Sequence, residues 1–268
     1  MKKAFLVSSL IFVLSVEQLH ARMTVYFIAV GQGDAEYIEL PNGKTALIDG
    51  GPNSKGISAF IKGNSVKTID YVVLTHPHAD HLNGLNYVFD NCQVNSFYDT
   101  KMNNTGSSGD EKLRGKAAKE PNCKISYPAA GTTLSWCPGV TVKVLSGCPE
   151  PDRASTGTDI NDSSIVLQIT YNGKTALFTG DIDSTIESGL VARYGDTLSS
   201  TVLKVAHHGS AYGSSIAFLG KVKPKVAYIE VGPNKYGHPD PGTMGRLQAV
   251  GATVNRTDIS GTQRYDIP

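Results

Sequence analysis

The run Thr75-His76-Pro77-His78-Ala79-Asp80-His81 puts three imidazoles and a carboxylate into one short loop. Histidine nitrogen and aspartate oxygen are the ligands that zinc and related divalent ions take. His76 and His78 alternate along the chain, so both can converge on one ion. Asp80 and His81 lie one step further, near a helix start, and can hold a second. The segment just before them, Tyr71 to Leu74 (YVVL), is continuously apolar, as a fully buried strand is. Loops at strand ends are where rigid scaffolds present functional groups. A hydrogen-bonded histidine cluster without metal is the competing reading, and the dense spacing of ligand types weighs against it.

The remaining histidines are as unevenly placed. With His20 set aside, none occurs between His81 and the pair His207-His208, and His238 follows. Both later groups come after strand-like runs, in the turn-like contexts Ala206 to Ser210 and Lys235 to Pro239. Asp181 completes the set. The segment Leu177-Phe178-Thr179-Gly180-Asp181 brings a carboxylate to the end of a buried strand, where it can bridge two cations through its two oxygens. An unpaired carboxylate there would be costly to bury. The structural alternative is an N-cap for the helix that follows.

The elements that must position these groups are readable as short strands separated by turns. Strands are expected at Thr24 to Val30, Ala35 to Leu40, Thr45 to Ile48, Val140 to Leu145, Ser164 to Thr170, Thr175 to Thr179, Val202 to Ala206, Val226 to Val231 and Thr253 to Arg256. Asn42-Gly43 favours a tight hairpin between the second and third. Helices are expected at Ile57 to Ile61, at Ile182 to Tyr194 with Asp183 or Ser184 as N-cap, and at Pro241 to Val250 with Gly251 as the stop. Residues 101–127 are polar and carry Lys112, Arg114, Lys116, Lys119 and Lys124. They read as a surface insertion with a short helix, a solvated loop with a substrate-facing basic rim as its alternative. One internal echo stands out. Asn42 to Gly50 (NGKTALIDG) resembles Asn172 to Asp181 (NGKTALFTGD), a turn followed by an apolar strand ending in Gly and Asp. Two similar halves would place Asp49 and Asp181 at strand ends on a shared edge, where α/β sites lie.

Bulk properties bound the function classes. The chain has 268 residues with a formal net charge of +1, which carries no global signal for a polyanionic or polycationic partner. Residues 1–21 read as a secretory signal, a basic start at Lys2-Lys3 and an apolar run from Ala4 to Val16, too short for a comfortable membrane span. The expected organisation is therefore a signal over 1–21 and one domain over 22–268, secreted or periplasmic, with no stable membrane anchor and no obligate protein partner evident. Cys92, Cys123, Cys137 and Cys148 suggest two structural disulfides in an exported protein, their pairing open.

The sequence resembles the metallo-β-lactamase fold superfamily, whose H-x-H-x-D-H hallmark is His76 to His81 here. It is most similar to the branch found as the C-terminal domain of the competence protein ComEC. The resemblance is carried by Val30 to Ala35 (VGQGDA), Leu47 to Gly51, Thr75 to Gly84, Asn161 to Ser164, Phe178 to Asp181, Leu203 to Ser210 and Tyr236 to Pro239. It implies an α/β fold, a four-layer αβ/βα sandwich, with a two-metal site at one edge. No membrane channel region accompanies it in this sequence, so a complete DNA-uptake protein is not expected. Lactamases, thioesterases and lactonases of this fold carry a further histidine ligand between the first motif and the bridging Asp. Here Asn161-Asp162-Ser163-Ser164 occupies that stretch. The first ion would then be held by His76, His78, Asp181 and water or a weaker oxygen, such as that of Asp162.

Two divalent ions, zinc first and manganese as the alternative, would hold a bridging hydroxide at neutral pH. The expected activity is that of a secreted metal-dependent hydrolase, a phosphodiesterase or nuclease with DNA or RNA as one candidate substrate and phosphorylcholine esters or cell-wall phosphodiesters as others. An acyl, lactam or lactone hydrolase on the same site is the alternative. His76 and His78 hold one ion. Asp80, His81 and His207 hold the other, His207 preferred to His208 because it comes first after the strand, and Asp181 lies between. Asp80, His208 and His238 are the catalytic candidates, the two histidines for phosphate contact or leaving-group protonation. Asp49 and Asp34 are expected to orient ligand histidines from behind, with a turn-stabilising role as the alternative for Asp34, and Ser164 and Lys204 are weaker candidates.

Overall fold

The computed structural model describes residues 22–147 and 152–268; the signal reading of residues 1–21, and Cys148, lie outside the described residues. Two seven-stranded sheets make up the centre. The first runs, in spatial order, Gln263–Ile267, Met23–Phe27, Glu36–Glu39, Thr45–Ile48, Tyr71–Val73, Ser96–Tyr98 and Lys124–Ser126. The second runs Thr133–Leu134, Val140–Ser146, Val166–Tyr171, Lys174–Phe178, Val202–Lys204, Val226–Ile229 and Thr253–Arg256.

The internal echo has an architectural meaning. Thr45–Ile48 and Lys174–Phe178 are each the fourth strand of their sheet. Each pairs antiparallel with the strand before it and parallel with the strand after it. The second turn is tight because Asn172 and Gly173 both take positive φ, as a two-residue hairpin requires.

Alternation along these strands divides the core into layers. Val25, Phe27, Ala46, Ile48 and Val73 meet Val142, Leu167, Ile169, Ala176 and Phe178 between the sheets. Phe27 stacks on Tyr228 at 3.9 Å across that layer. The opposite faces of the same strands are covered by helices. Leu47, Val72 and Leu74 pack on Ile57, Ile61, Leu85 and Val88, while Leu177 and Leu203 pack on Leu190, Phe218, Leu219 and Leu247. The result is the four-layer αβ/βα sandwich. Among the described residues no helix is long and apolar enough to cross a membrane.

Element boundaries follow local chemistry. The helix Ser184–Tyr194 starts at Asp183, whose carboxylate accepts from the N–H groups of Thr185 and Ile186. Asp240 does the same for Pro241–Ala249, and Gly251 at φ +77° ends it. Residues 101–127 are bound into the fold more firmly than a surface insertion would be. Leu113 and Ala117 of the helix Gly109–Ala117 are buried in the first outer cluster, and Lys124–Ser126 is an edge strand of the first sheet. None of the basic residues of this stretch is among those lining the cleft described below, and Arg114 turns inward to Asp99, Asn103, Asp110 and the Met102 carbonyl. The expected disulfides are absent among the described residues. Cys92, Cys123 and Cys137 are free, the first two beneath the helices of the first half and the third between the sheets, where a thiol packs as a small apolar group.

Candidate metal centre

Parallel strands of both sheets deliver functional groups at their C-terminal ends. Asp49 follows Thr45–Ile48, the Thr75–His81 loop follows Tyr71–Val73, Asp181 follows Lys174–Phe178, and His207-His208 follow Val202–Lys204. Two glycines let the segments approach. A Cβ on Gly33 would lie 2.2 Å from the Asp80 carbonyl oxygen, and one on Gly180, at φ +53°, 2.8 Å from the Ser164 Cβ. Gly33 thus seats Asp34 beneath the first loop, and Gly180 brings Asp181 across the seam between the halves. Asn104 braces the histidine loop by donating to the Pro77 carbonyl at 3.0 Å.

One set of groups converges closely. Ligand atoms of Asp80, His81, Asp181 and His208 all lie within 4.8 Å of one another. His208 Nε2 is 3.3 Å from Asp80 Oδ2 and 3.4 Å from Asp181 Oδ2, while His81 Nε2 is 3.3 Å from Asp181 Oδ2. The second set is His76 and His78, whose Nε2 and Nδ1 atoms approach to 3.1 Å, with Asp181 Oδ2 at 3.9 Å from His76 Nε2. Asp181 is therefore common to both.

Hydrogen bonds behind the rings fix which nitrogen faces inward. Asp49 Oδ2 takes the His81 Nδ1 proton at 2.7 Å, so Nε2 presents its lone pair toward Asp181. The Glu230 carbonyl takes the His208 Nδ1 proton at 2.9 Å, with the same outcome. Thr75 Oγ1 donates to Asp49, and Ser164 Oγ donates to the Asn161 carbonyl. Both hydroxyls are left as acceptors for His76 Nδ1, at 3.1 and 3.3 Å, which frees His76 Nε2. Inward lone pairs held by outward hydrogen bonds are what metal ligation requires.

The charge balance asks for a cation. Burial opposes charge on His81, yet Asp181, Asp49, Asp80 and Asp34 outweigh it and raise its pKa well above the usual value. Burial likewise opposes charge on His208, and Asp181 and Asp34 raise it well above. These carboxylates hold protons where a divalent ion would displace them. Burial and then His81 keep His76 and His78 below their usual value, hence neutral. Buried Asp181 Oδ1 and His208 Nε2 have no hydrogen-bond partner. Two imidazoles and two carboxylates with inward lone pairs thus fit a divalent ion, and His76 with His78 fit a second that shares Asp181.

Two sequence expectations change. His208, 1 % exposed, joins the tight cluster; His207, 27 % exposed, stands at the cleft wall with Nε2 3.8 Å from Asp181 Oδ2. Order along the chain misled because both residues are left-handed, at φ +49° and +54°, so the turn swings the second ring inward. Such backbone costs about 1–2 kcal/mol per residue and is tolerated where function holds it. Asp162 does not reach the first pair: its Oδ1 accepts from Asp183 N at 3.3 Å, and burial and then Asp183 push it up to about 6. Asp34 stands behind a ligand histidine, as expected, and its role is not confined to stabilising a turn. It meets Lys204 Nζ and lies 3.1 Å from His208 Nδ1.

Beneath the cluster lies a buried layer that the sequence reading missed. Asp34, Glu36 and Glu230 gather around fully buried Lys204. Burial opposes the Lys204 charge, but Asp34 and Asp181 keep it protonated. Burial and then Glu230 raise Glu36 far above the usual range, while burial and then Asp34 push Glu230 up to about 8. A signal existed: Glu230 ends the apolar run Val226 to Ile229 as Asp181 ends its own.

The site opens into a cleft of about 680 Å³ lined by Asn104, Ser107, Asn161, His207, Tyr212 and His238, among others. His238 is pulled down to about 4 by burial and then by His207 and His208. Tyr212 and Tyr236, 76 % and 66 % exposed, wall the same cleft.

Residues 28–132 match the family model described as the metallo-beta-lactamase superfamily. ComE operon protein 3 of Bacillus subtilis is 29 % identical over 262 residues, covering 90 % of this chain and 32 % of that protein. Competence protein ComA of Neisseria gonorrhoeae is 30 % identical over 259 residues, covering 94 % of this chain and 33 % of that protein. The chain thus spans about a third of the length of these relatives. Among solved structures, the metallo-beta-lactamase fold protein YhfI of Bacillus subtilis aligns with a TM-score of 0.58 at 12 % identity, covering 91 % of this chain and 99 % of that one. A diphosphatase of the PhnP family aligns with a TM-score of 0.53 at 15 % identity, covering 91 % and 98 %.

Proposed function

This chain belongs to the metallo-β-lactamase superfamily, and we propose that it is a metal-dependent hydrolase whose substrates are phosphodiesters, nucleic acid foremost. The observation that carries the reading is the pair of ligand sets sharing Asp181 at the floor of an open cleft. Asp80, His81, His208 and Asp181 would hold one ion, and His76, His78 and Asp181 the other. Bound divalent ions supply an activated water near neutral pH and neutralise charge on the phosphoryl group.

The chain's own residues do the rest. Asp49 and the Glu230 carbonyl hold His81 and His208 in the ligating tautomer. His207 and His238 face the cleft and are kept neutral by burial, so each can donate an N–H to a phosphoryl oxygen. An anionic substrate raises the pKa of both, which makes either one able to protonate a departing alkoxide. The exposed rings of Tyr212 and Tyr236 offer stacking surface to bases flanking the scissile phosphate. That favours nucleic acid over a small headgroup ester. The names of the competence-protein relatives support nucleic acid, and that of the diphosphatase supports only phosphoryl chemistry in general. Zinc and manganese are the candidate metals, and the N-terminal pattern Lys2 to Val16 supports an activity outside the cytoplasm.

The test joins elemental analysis with assays on bis-p-nitrophenyl phosphate and on oligonucleotides. We expect close to two metal equivalents and diesterase activity abolished by chelation. His208→Ala should lose one equivalent, whereas His207→Ala should keep both and lower turnover. Turnover of a lactam or thioester without any diesterase activity would replace this reading with acyl hydrolysis.

A further inference from the structure

The two ligand sets are unequal. The tight cluster offers four side chains, whereas the His76–His78 pair has only Asp181 beside it, and no histidine lies between His81 and His207. Asn161 stands next to that pair. It sits on the short helix Thr158–Asp162, is 8 % exposed, and its amide lies against the His78 ring in the wall of the cleft.

The Asn161 side chain is not needed for the local fold. Its backbone makes the structural bonds: the carbonyl accepts from Ser164 Oγ at 2.5 Å and from Ser164 N at 2.9 Å, and its N–H donates to Gly157. Its Oδ1 is buried and makes no hydrogen bond of ordinary geometry, the side chain's interaction being with the His78 ring. A buried carbonyl oxygen without a donor costs about 1–3 kcal/mol, and such an orphan calls for an explanation. Here the orphan oxygen belongs to the side chain beside His78, whose Nδ1 lies 3.1 Å from His76 Nε2; Asn161 and His78 border the cleft and His76 is buried behind them. A cation between them would satisfy every one.

We propose that Asn161 Oδ1 is a ligand of the ion held by His76 and His78, and that it tunes this position toward an oxygen-preferring ion. The inference rests on the metal-dependent reading above. A ligand set of two imidazoles, one carboxylate and one amide oxygen is harder than one with a third imidazole. Carbonyl oxygen suits manganese, while additional imidazole suits zinc. The first position therefore binds zinc less tightly than the four-ligand cluster does, and it discriminates less between zinc and manganese.

The experiment titrates metal-free full-length protein with Zn²⁺ against a chromophoric chelator, and with Mn²⁺ by electron paramagnetic resonance. Wild type should show two classes of site, and Mn²⁺ should give the signal of a coupled pair. Asn161→Ala should weaken the looser class at least about tenfold, since even supporting partners are worth that much, leave the tighter class unchanged, and convert the coupled signal to that of isolated Mn²⁺. Asn161→Asp keeps an oxygen and should retain both classes, which separates ligand loss from a folding defect. Asn161→His should tighten Zn²⁺ at the looser class by about tenfold while moving Mn²⁺ less. Two unchanged classes in Asn161→Ala, or an unaltered Zn²⁺ to Mn²⁺ preference in Asn161→His, would overturn this inference and leave the hydrolase reading standing. A wild-type protein with no metal class at all would overturn both.

Discussion

Asp49 never faces the cleft, yet the structure makes it decisive for the tighter ion. Its Oδ1 accepts from Thr75 N at 2.8 Å, and its Oδ2 accepts from Thr75 Oγ1 at 2.6 Å and His81 Nδ1 at 2.7 Å. Asp49→Asn is nearly isosteric. The new side chain must keep its oxygen toward the Thr75 N–H, so its NH₂ turns toward His81 Nδ1. The ring can then accept there only as the other tautomer, with a proton on Nε2. That proton points at Asp181 Oδ2, 3.3 Å away, in the place of the lone pair an ion needs. Loss of such a supporting partner costs about 10–100-fold in metal affinity, or about 1.4–2.7 kcal/mol at 1.36 kcal/mol per decade. Competition with a chromophoric chelator reads this directly, and circular dichroism of the metal-free variant checks that the fold survives. A variant whose tighter class binds Zn²⁺ within twofold of wild type would refute the tautomer argument.

Two further outcomes follow from buried charge. Lys204→Met leaves Asp34 without its ammonium and should cost about 3–5 kcal/mol in urea unfolding of the metal-free protein. Asp34 is held below its usual value, burial opposing and Lys204 prevailing, so the stabilisation is full above about pH 4 and fades as the pH falls through the folded pKa. The gap between variant and wild type should therefore shrink in acid; a constant gap under about 1 kcal/mol would mean Lys204 balances nothing. Burial and then Glu120 push the Cys123 thiol up to about 11. Alkylation at pH 8 should run about 10–100-fold slower than for a free cysteine and keep rising with pH up to about 11; a plateau by about pH 9, near the free-thiol pKa, would contradict it.

Much of the site was legible because its chemistry is local in sequence. The His76 to His81 loop and the NGKTAL repeat announce themselves, and the repeat did mark equivalent strands in two sheets. Thr45–Ile48 was readable to the residue, since a turn and Asp49 bracket an apolar run. Gln263–Ile267 was not, because an edge strand with alternating exposure has too few apolar residues to differ from loop. Ring direction was also hidden. Which of His207 and His208 turns inward depends on two left-handed backbone angles, and no composition rule reports those. The buried Glu36–Glu230 layer joins residues far apart in sequence, so only the fold brings their carboxylates together.

The shared carboxylate at the seam makes loading and assembly one equilibrium. Asp80 and His81 come from the first half, Asp181 and His208 from the second, and each half has its own apolar cluster beneath its helices. The shared core between the sheets already holds the halves together. An ion present at about a hundred times its Kd adds about 2.7 kcal/mol to the docked state. Scarcity of divalent metal would therefore register first as breathing of the seam, while both halves keep their own cores.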